Sequence, residues 1–429
     1  MGVQKSWLLQ TQRSKAKTIL PRRTPFELAS RYNRSMKYSS LVNRICPADN
    51  DGDPWEVHEL ACQRADNGED ILLLSIGQEA DEVTPNTIVN SAVESLRAGD
   101  HHYTSVEGLP ALRSSIARYH TALTNQTVSS ENCIVYSGAQ NALFAAAQVL
   151  LETGDEVIMS EPYYTTYAAT FTASGALAVS VPVTKEHQYE LQVNDIAAAI
   201  NSNTQAIVVN SPNNPMGSCY TREQFSAIVK LCVKHGIWLI LDAAYLDIVD
   251  VDKADLPHLC EGANELLVTV GSLSKSHRMT GWRIGWVVGP KAMVDHLAYL
   301  SMCMHYGLPP FVMKAAITAL EQAQDTPIAV RNKLQRRRRI ANPILSSMQG
   351  ATLLDSGHGM FMLIDVSDLG ISAREFCFYV LEQHNVSVLP CDGFGRAGRN
   401  LVRIGLCVDD QKLELACNRI VQSVAQLSM

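Results

Sequence analysis

From Cys133 to Gly289, short apolar runs alternate with longer stretches whose apolar residues recur at helical spacing. The runs Cys133–Ser137, Glu156–Ser160, Leu177–Pro182, Gln205–Asn210, Ile237–Asp242, Leu266–Gly271 and Ile284–Gly289 predict strands. Gln140–Leu151, Glu190–Ile200 and Thr221–His235 predict helices between them. Ile237-Trp238-Leu239-Ile240-Leu241 is apolar at every position, which suits a strand covered on both faces. Strands alternating with helices imply an α/β layer architecture around a mostly parallel sheet.

Beyond about residue 320 the pattern changes. A helix carrying Arg336-Arg337-Arg338-Arg339 precedes short strands around Gly359–Val366, Ser387–Leu389 and Leu401–Gly405. The four-arginine run is expected to be a solvated helix face. The expected organisation is a large domain over residues 86–319 and a smaller α+β domain built from residues 36–85 and 320–429. Residues 1–35 hold eight Lys or Arg and a single acid, Glu27. Such an acid-poor stretch can be a transit peptide, but the plainer expectation is a disordered extension before a folded chain that starts near Met36.

Composition narrows the classes. The 429 residues are 46% hydrophobic, enough for a large core, and the net charge of −7 speaks against a nucleic-acid-binding surface. No stretch approaches the ~18 apolar residues that span a bilayer. Eleven cysteines are scattered without a C-x-x-C pair, which suits reduced thiols in a reducing compartment, the cytoplasm.

The chemistry concentrates in Ser272-Leu273-Ser274-Lys275-Ser276-His277-Arg278-Met279-Thr280-Gly281-Trp282-Arg283. A lysine among hydroxyl residues offers an amine for Schiff-base formation, while Ser272 and Arg283 can bind a phosphate dianion. That combination points to pyridoxal phosphate. Open parallel sheets bind ligands at the carboxyl ends of their strands, where further polar residues fall. Asp242 closes an apolar run and could pair with a pyridinium nitrogen, with Tyr245 near the ring's phenolic oxygen; a strand-end aspartate capping the next helix is the bland alternative. Asn214, in Asn210-Ser211-Pro212-Asn213-Asn214-Pro215-Met216-Gly217, could touch the same oxygen or serve only as a turn. Ser137-Gly138-Ala139-Gln140 opens a helix and can offer backbone N–H groups to a phosphate. Tyr164 could stack on a planar ring or simply pack. Arg403, inside the apolar run Leu401–Gly405, could hold a carboxylate in a two-pronged grip or form a structural salt bridge.

These elements occur in order, and together they resemble the class I/II aminotransferases, which are fold-type I pyridoxal phosphate enzymes. The motifs are Asn-Pro-x-Gly, Asp-x-x-Tyr, Ser-x-Ser-Lys with Met-Thr-Gly-Trp-Arg, and the late Arg403; the resemblance spans about Met36 to Leu427. It implies a seven-stranded, mostly parallel sheet. It also implies Lys275 as the Schiff-base lysine, Asp242 as the pyridinium partner, and Tyr245 and Asn214 on the phenolic oxygen. Ala139, Gln140, Ser272 and Arg283 would be phosphate contacts, Tyr164 the stacked ring, and Arg403, Asn214 and Gly77 substrate contacts. Tyr103, in His102-Tyr103-Thr104-Ser105-Val106-Glu107-Gly108, would reach the phosphate of a neighbouring subunit, so a homodimer with shared sites is implied. Around Lys275 and Met302-Cys303-Met304-x-Tyr306-Gly307 the text is most similar to arginine–pyruvate transaminases. The implied activity moves an amino group from an L-amino acid, arginine or another basic or large one, to a 2-oxo acid such as pyruvate. A fold-type I lyase or synthase, or an amino-acid oxidase, uses the same cofactor residues and is the alternative.

Two departures stand out. Relatives usually carry Gly-Asp/Glu-Pro-Asp-Phe where this chain reads Gly77-Gln78-Glu79-Ala80-Asp81-Glu82-Val83-Thr84-Pro85, one residue longer and without the first proline. Asp242-Ala243-Ala244-Tyr245 replaces the common Asp-Glu-x-Tyr. Glu79, Asp81 and Glu82 either receive a basic substrate side chain or are solvated loop charges, the second being the expectation.

Overall fold

All seven strands expected in the central region form, and they join one sheet: β1 (Cys133–Tyr136), β2 (Glu156–Glu161), β3 (Leu177–Pro182), β4 (Thr204–Asn210), β5 (Trp238–Asp242), β6 (Leu267–Ser272) and β7 (Gly285–Val288). This computed structural model describes residues 39–45, 53–80, 82–184, 187, 191–249 and 256–428. The extension of residues 1–35, Cys46 and Asp81 lie outside the described residues. A short helix, Ser40–Ile45, straddles the boundary between a first unit ending at Val42 and a second running from Asn43 to the end. Every strand of the fold belongs to the second unit.

The sheet order is β1-β7-β6-β5-β4-β2-β3. Neighbours among β2 to β6 run parallel, whereas β7 is antiparallel to both β1 and β6. Helices supply the crossovers the parallel pairs need. One is Arg222–His235, opened by a reciprocal pair of bonds between Thr221 and Gln224 and closed by Gly236 in the left-handed region. The connection from β6 to β7 is the lysine loop, which holds only the single 3-10 turn Thr280–Trp282. With no crossover helix the chain turns back, and β7 runs against β6. Burial is complete along β6 and along β1, while β3, at the edge of the sheet, leaves most of its positions exposed.

The C-terminal part forms a second sheet from β8 (Thr352–Leu354), β9 (Phe361–Asp365), β10 (Leu389–Pro390) and β11 (Leu401–Gly405), in the order β10-β11-β9-β8, all antiparallel. Leu72–Leu73 pairs parallel with Val386–Ser387. One hydrophobic cluster accordingly joins Val57, Ala61 and Leu74 to Phe376, Val402 and Ile420.

The arginine run departs from expectation. Within the Thr326–Leu345 helix the buried positions are Val330, Leu334, Arg337, Arg338, Ala341 and Leu345, besides two at its start. That is an inward-facing stripe at helical spacing, and Arg337 and Arg338 belong to it. Arg337 Nη1 donates to both oxygens of Glu79 at 3.0 Å and to the Leu406 carbonyl at 3.0 Å. Arg338 pairs with Asp355 and donates to the His358 and Gly359 carbonyls at 2.8 and 3.0 Å. Arg336 reaches Asp410 on the exposed side. Half of the supposed solvated face is thus core, because buried guanidinium groups persist when carboxylates and carbonyls satisfy them.

Among the described residues no helix is long and apolar enough to cross a membrane, and the ten described cysteines are all free.

Candidate active site

Strands β4, β5 and β6 end side by side, with Asn210 opposite Asp242 and Asp242 opposite Val270. Asn210 Nδ2 donates to the Asp242 carbonyl at 3.1 Å, and Asn210 Oδ1 accepts from the Asn214 backbone N–H at 2.7 Å. The turn after β4 is thereby clamped to the end of β5. Asn214 Nδ2 then meets the Tyr245 hydroxyl at 3.3 Å, and Asn214 Oδ1 accepts from Arg403 Nη1 at 2.9 Å.

Asp242 is buried. Its Oδ2 accepts from the Tyr167 hydroxyl at 2.5 Å and its Oδ1 from the Ala244 N–H at 3.0 Å. Burial raises its carboxyl above the ordinary range, and these two donors pull the other way. Lys275 Nζ donates to the Gly77 carbonyl at 2.7 Å. Burial, helped by the Arg403 and Arg283 guanidinium groups, lowers the Lys275 ammonium to about 8, and Asp242 opposes that shift. Arg403, on β11, lies 4.1 Å from the centre of the Phe361 ring and donates from Nη2 to the Ser75 carbonyl at 2.8 Å. Its Nε is buried without a partner.

The opposite wall is the start of the Ala139–Leu150 helix, whose first N–H groups have no acceptor within the helix. Gly138 precedes it with φ of 86°, and a Cβ there would lie 2.5 Å from Arg283 Nη2. Only glycine lets that guanidinium lie against the helix end. Gly285 is pressed as tightly: its Cβ would fall 2.7 Å from the Ala139 nitrogen and 2.8 Å from the Gly271 carbonyl oxygen. Arg283 Nη1 donates to the Thr280 carbonyl at 2.8 Å, and the Ser272 hydroxyl accepts from the Ser274 N–H at 3.3 Å.

Lys275, Asp242, Tyr245, Asn214, Arg283, Arg403, Ala139, Gln140, Tyr164, Ser272 and Gly77 all line one cavity of about 270 Å³. The Gln140 side chain is turned aside, bonded to Thr166 and Thr170 at 2.7 Å, which leaves its backbone N–H for a ligand. Tyr103 does not line the cavity; it is 88% exposed and stands edge-on to Tyr306 at 5.6 Å. The sequence reading missed Tyr167, Trp55 and Phe361. Tyr167 had a signal, since it lies one helical turn after Tyr164; Trp55 and Phe361 are brought in by packing of distant segments and had none.

Of the loop acids the Glu79 side chain is nearly buried, against expectation, while Glu82 is exposed as expected but paired. Glu79 is held by Arg337, and Glu82 lies between Arg278 and Lys333; Asp81 lies outside the described residues. Among the described residues no cluster of His, Cys, Asp or Glu could hold a metal.

A dianion fits the helix start beside Arg283 and Ser272, and a planar cation-bearing ring fits between Tyr164 and the buried Asp242. A carbonyl carbon fits beside an amine that deprotonates near 8. Pyridoxal phosphate carries all three groups. The family model for class I and II aminotransferases matches residues 69–420, and the chain belongs to that family of transaminases, whose members work with this cofactor. It is 41% identical over 392 residues to an arginine–pyruvate transaminase of Pseudomonas aeruginosa, covering 91% of this chain and 99% of that one. An aspartate aminotransferase of Pyrococcus horikoshii is 31% identical over 364 residues, 84% of this chain and 93% of that one. The structure of Thermus thermophilus aspartate aminotransferase with maleate superposes with a TM-score of 0.83 at 28% identity, covering 90% of this chain and all of that one.

Proposed function

We propose that this chain carries the amino group of a large L-amino acid to a 2-oxo acid such as pyruvate in a ping-pong cycle, with pyridoxal phosphate held at Lys275. The observation that carries the reading is the buried Lys275 amine, lowered to about 8 and held on the Gly77 carbonyl within one cavity with Asp242 and Arg403. The start of the Ala139–Leu150 helix, Ser272 and Arg283 would hold the phosphate. Asp242 would pair with the ring nitrogen, Tyr245 and Asn214 with the phenolic oxygen, and Tyr164 with the ring face. Bound there, the cofactor supplies an electron sink for the charge left on Cα when its proton departs.

Arg403 binds the substrate α-carboxylate. Two of its five N–H groups are committed to Asn214 and Ser75, and the unpartnered Nε is a further donor. Lys275 Nζ, neutral in a sizeable fraction near pH 8, takes the α-proton and moves it on as general base and then acid. Gly77 and Asp242 keep that amine in place. The neighbourhood of Tyr103 and Tyr306, two exposed rings, supports a homodimer in which Tyr103 completes the phosphate site of the second copy. Free thiols at all ten described cysteines suit a reducing compartment such as the cytoplasm.

The test is a half-reaction screen. Holoenzyme mixed with single amino acids, arginine first because of the Pseudomonas relative, should release one equivalent of 2-oxo acid per site and turn over only when pyruvate is added. Lys275→Ala should lose both the turnover and the visible absorbance of the lysine-bound cofactor. Release of ammonia without need of a 2-oxo acid would favour a lyase and sink this reading.

A further inference from the structure

Beyond Lys275 a second cavity of about 760 Å³ opens. Gly77, Gln78, Ser274, Lys275 and Thr280 line both it and the cavity that holds Arg403. A substrate whose carboxylate sits at Arg403 and whose α-carbon sits at the Lys275 amine therefore has room on this side for a long side chain.

The wall of this chamber is mainly apolar. Val89 and Val93, one turn apart on the Asn86–Arg97 helix, share it with Trp282, Phe311, Val312 and Met360. Its two described carboxylates are already engaged by the chain's own cations. Glu79 is bonded to the fully buried Arg337, and Glu82 lies between Arg278 and Lys333. Trp282 Nε1 donates to Thr84 Oγ1 at 3.0 Å, and that hydroxyl donates to the Arg278 carbonyl at 2.7 Å. The loop bearing Glu82 is thus tied to the segment bearing Arg278 by neutral bonds as well. A cationic side chain that paired with Glu82 would share a partly exposed carboxylate with the two cations already on it, which gains little. Apolar surface entering the chamber has no such competitor.

On the strength of the aminotransferase reading, we propose that this chamber receives the substrate side chain and reads its apolar length. Val89 and Val93 set how much bulk it takes, and Glu82 ties the loop in place instead of acting as a receptor for charge. The substrate class is amino acids with long aliphatic side chains, arginine entering by its methylenes.

The experiment is a homologous series of half-reactions on the holoenzyme: alanine, 2-aminobutyrate, norvaline and norleucine, with arginine alongside, each mixed alone without a 2-oxo acid, the rate of conversion of the bound cofactor giving kcat/KM for that donor. Each added methylene should raise kcat/KM about fourfold, roughly 60-fold from alanine to norleucine. Val93→Phe should lower the norleucine-to-alanine ratio at least tenfold. Val89→Ala should move the optimum toward bulkier side chains such as phenylalanine. Glu82→Gln should leave the arginine-to-norleucine ratio within about twofold. A flat series in the unaltered enzyme, or a Glu82→Gln variant whose arginine-to-norleucine ratio falls tenfold or more, overturns the proposal while the transaminase reading stands. Failure of every amino acid to yield a 2-oxo acid would remove both.

Discussion

Arg337 and Glu79 form an ion pair with essentially no contact with water: Arg337 shows 0% exposure, and one of its nitrogens lies 3.0 Å from each carboxylate oxygen. The pair joins the Thr326–Leu345 helix to the loop whose Gly77 carbonyl holds Lys275. Arg337→Met takes the cation bonded to both oxygens of a nearly buried carboxylate, and also the Nε that lies 3.5 Å from Asp410, so it should destabilise the chain by about 3–5 kcal/mol. Replacing both, as Arg337→Met with Glu79→Leu, should recover most of that loss. Urea unfolding of the single and double variants measures it, and a single variant within about 1 kcal/mol of the parent would contradict the account.

Lys275 makes the cofactor-free chain less stable than it would otherwise be. Its ammonium ionises at about 8 when folded, against an ordinary value of 10.5. Between those values the unfolded chain binds the extra proton, so stability rises with pH from 8 to 10.5. Below 8 the depression acts in full, at most ~3 kcal/mol and less for the part of the ammonium that reaches water. Lys275→Met should therefore stabilise the cofactor-free chain at about pH 7, and the gain should shrink toward pH 10.5. Urea midpoints at about pH 7 and 10 decide it; a variant weaker than the parent at both would refute the linkage.

Asp242 and Tyr167 should act as a unit. Asp242→Asn should lower kcat/KM by about 1000-fold, ~4 kcal/mol of barrier. Tyr167→Phe removes the 2.5 Å donor that offsets burial of the carboxylate, so the carboxyl pKa should rise further and kcat/KM fall roughly tenfold to a hundredfold. Steady-state rates across pH should show the acid limb of the Tyr167→Phe profile shifted upward. An unmoved limb would mean that the tyrosine only packs.

Gly138→Ala should weaken cofactor binding while the fold survives. The added methyl collides with Arg283 Nη2 at 2.5 Å, on a backbone with φ of 86°. Displacing one charged donor should raise the dissociation constant for pyridoxal phosphate by roughly 10- to 100-fold. Fluorescence titration reads the affinity, and near-ultraviolet circular dichroism of the cofactor-free chain should match the parent.

The central sheet was legible because its strands are short apolar runs at α/β spacing, and the seven predicted runs overlap the seven observed strands. The residues lining the cavity were legible for a related reason. Asn214, Asp242 and Ser272 sit at or just past strand ends, so predicting the strands also located them. Arg337 and Glu79 escaped because charge was read by composition. The spacing of Val330, Leu334, Ala341 and Leu345 already marks Arg337 and Arg338 as part of an inward stripe. Trp55 and Phe361 lie far apart in sequence and meet the same cavity through tertiary packing that no local pattern encodes.

The close approach at Gly285 has a consequence for how the site responds to its ligand. No layer of side chains separates the start of the Ala139–Leu150 helix from strands β6 and β7 at that point. The helix end, Ser272 and the root of the lysine loop are therefore parts of one stiff piece. Their dipoles point into the cavity before any anion arrives, and the reorganisation that water would need to solvate that anion is already done by the fold. Cofactor loss and return then become an exchange of solvent for ligand within a fixed mould.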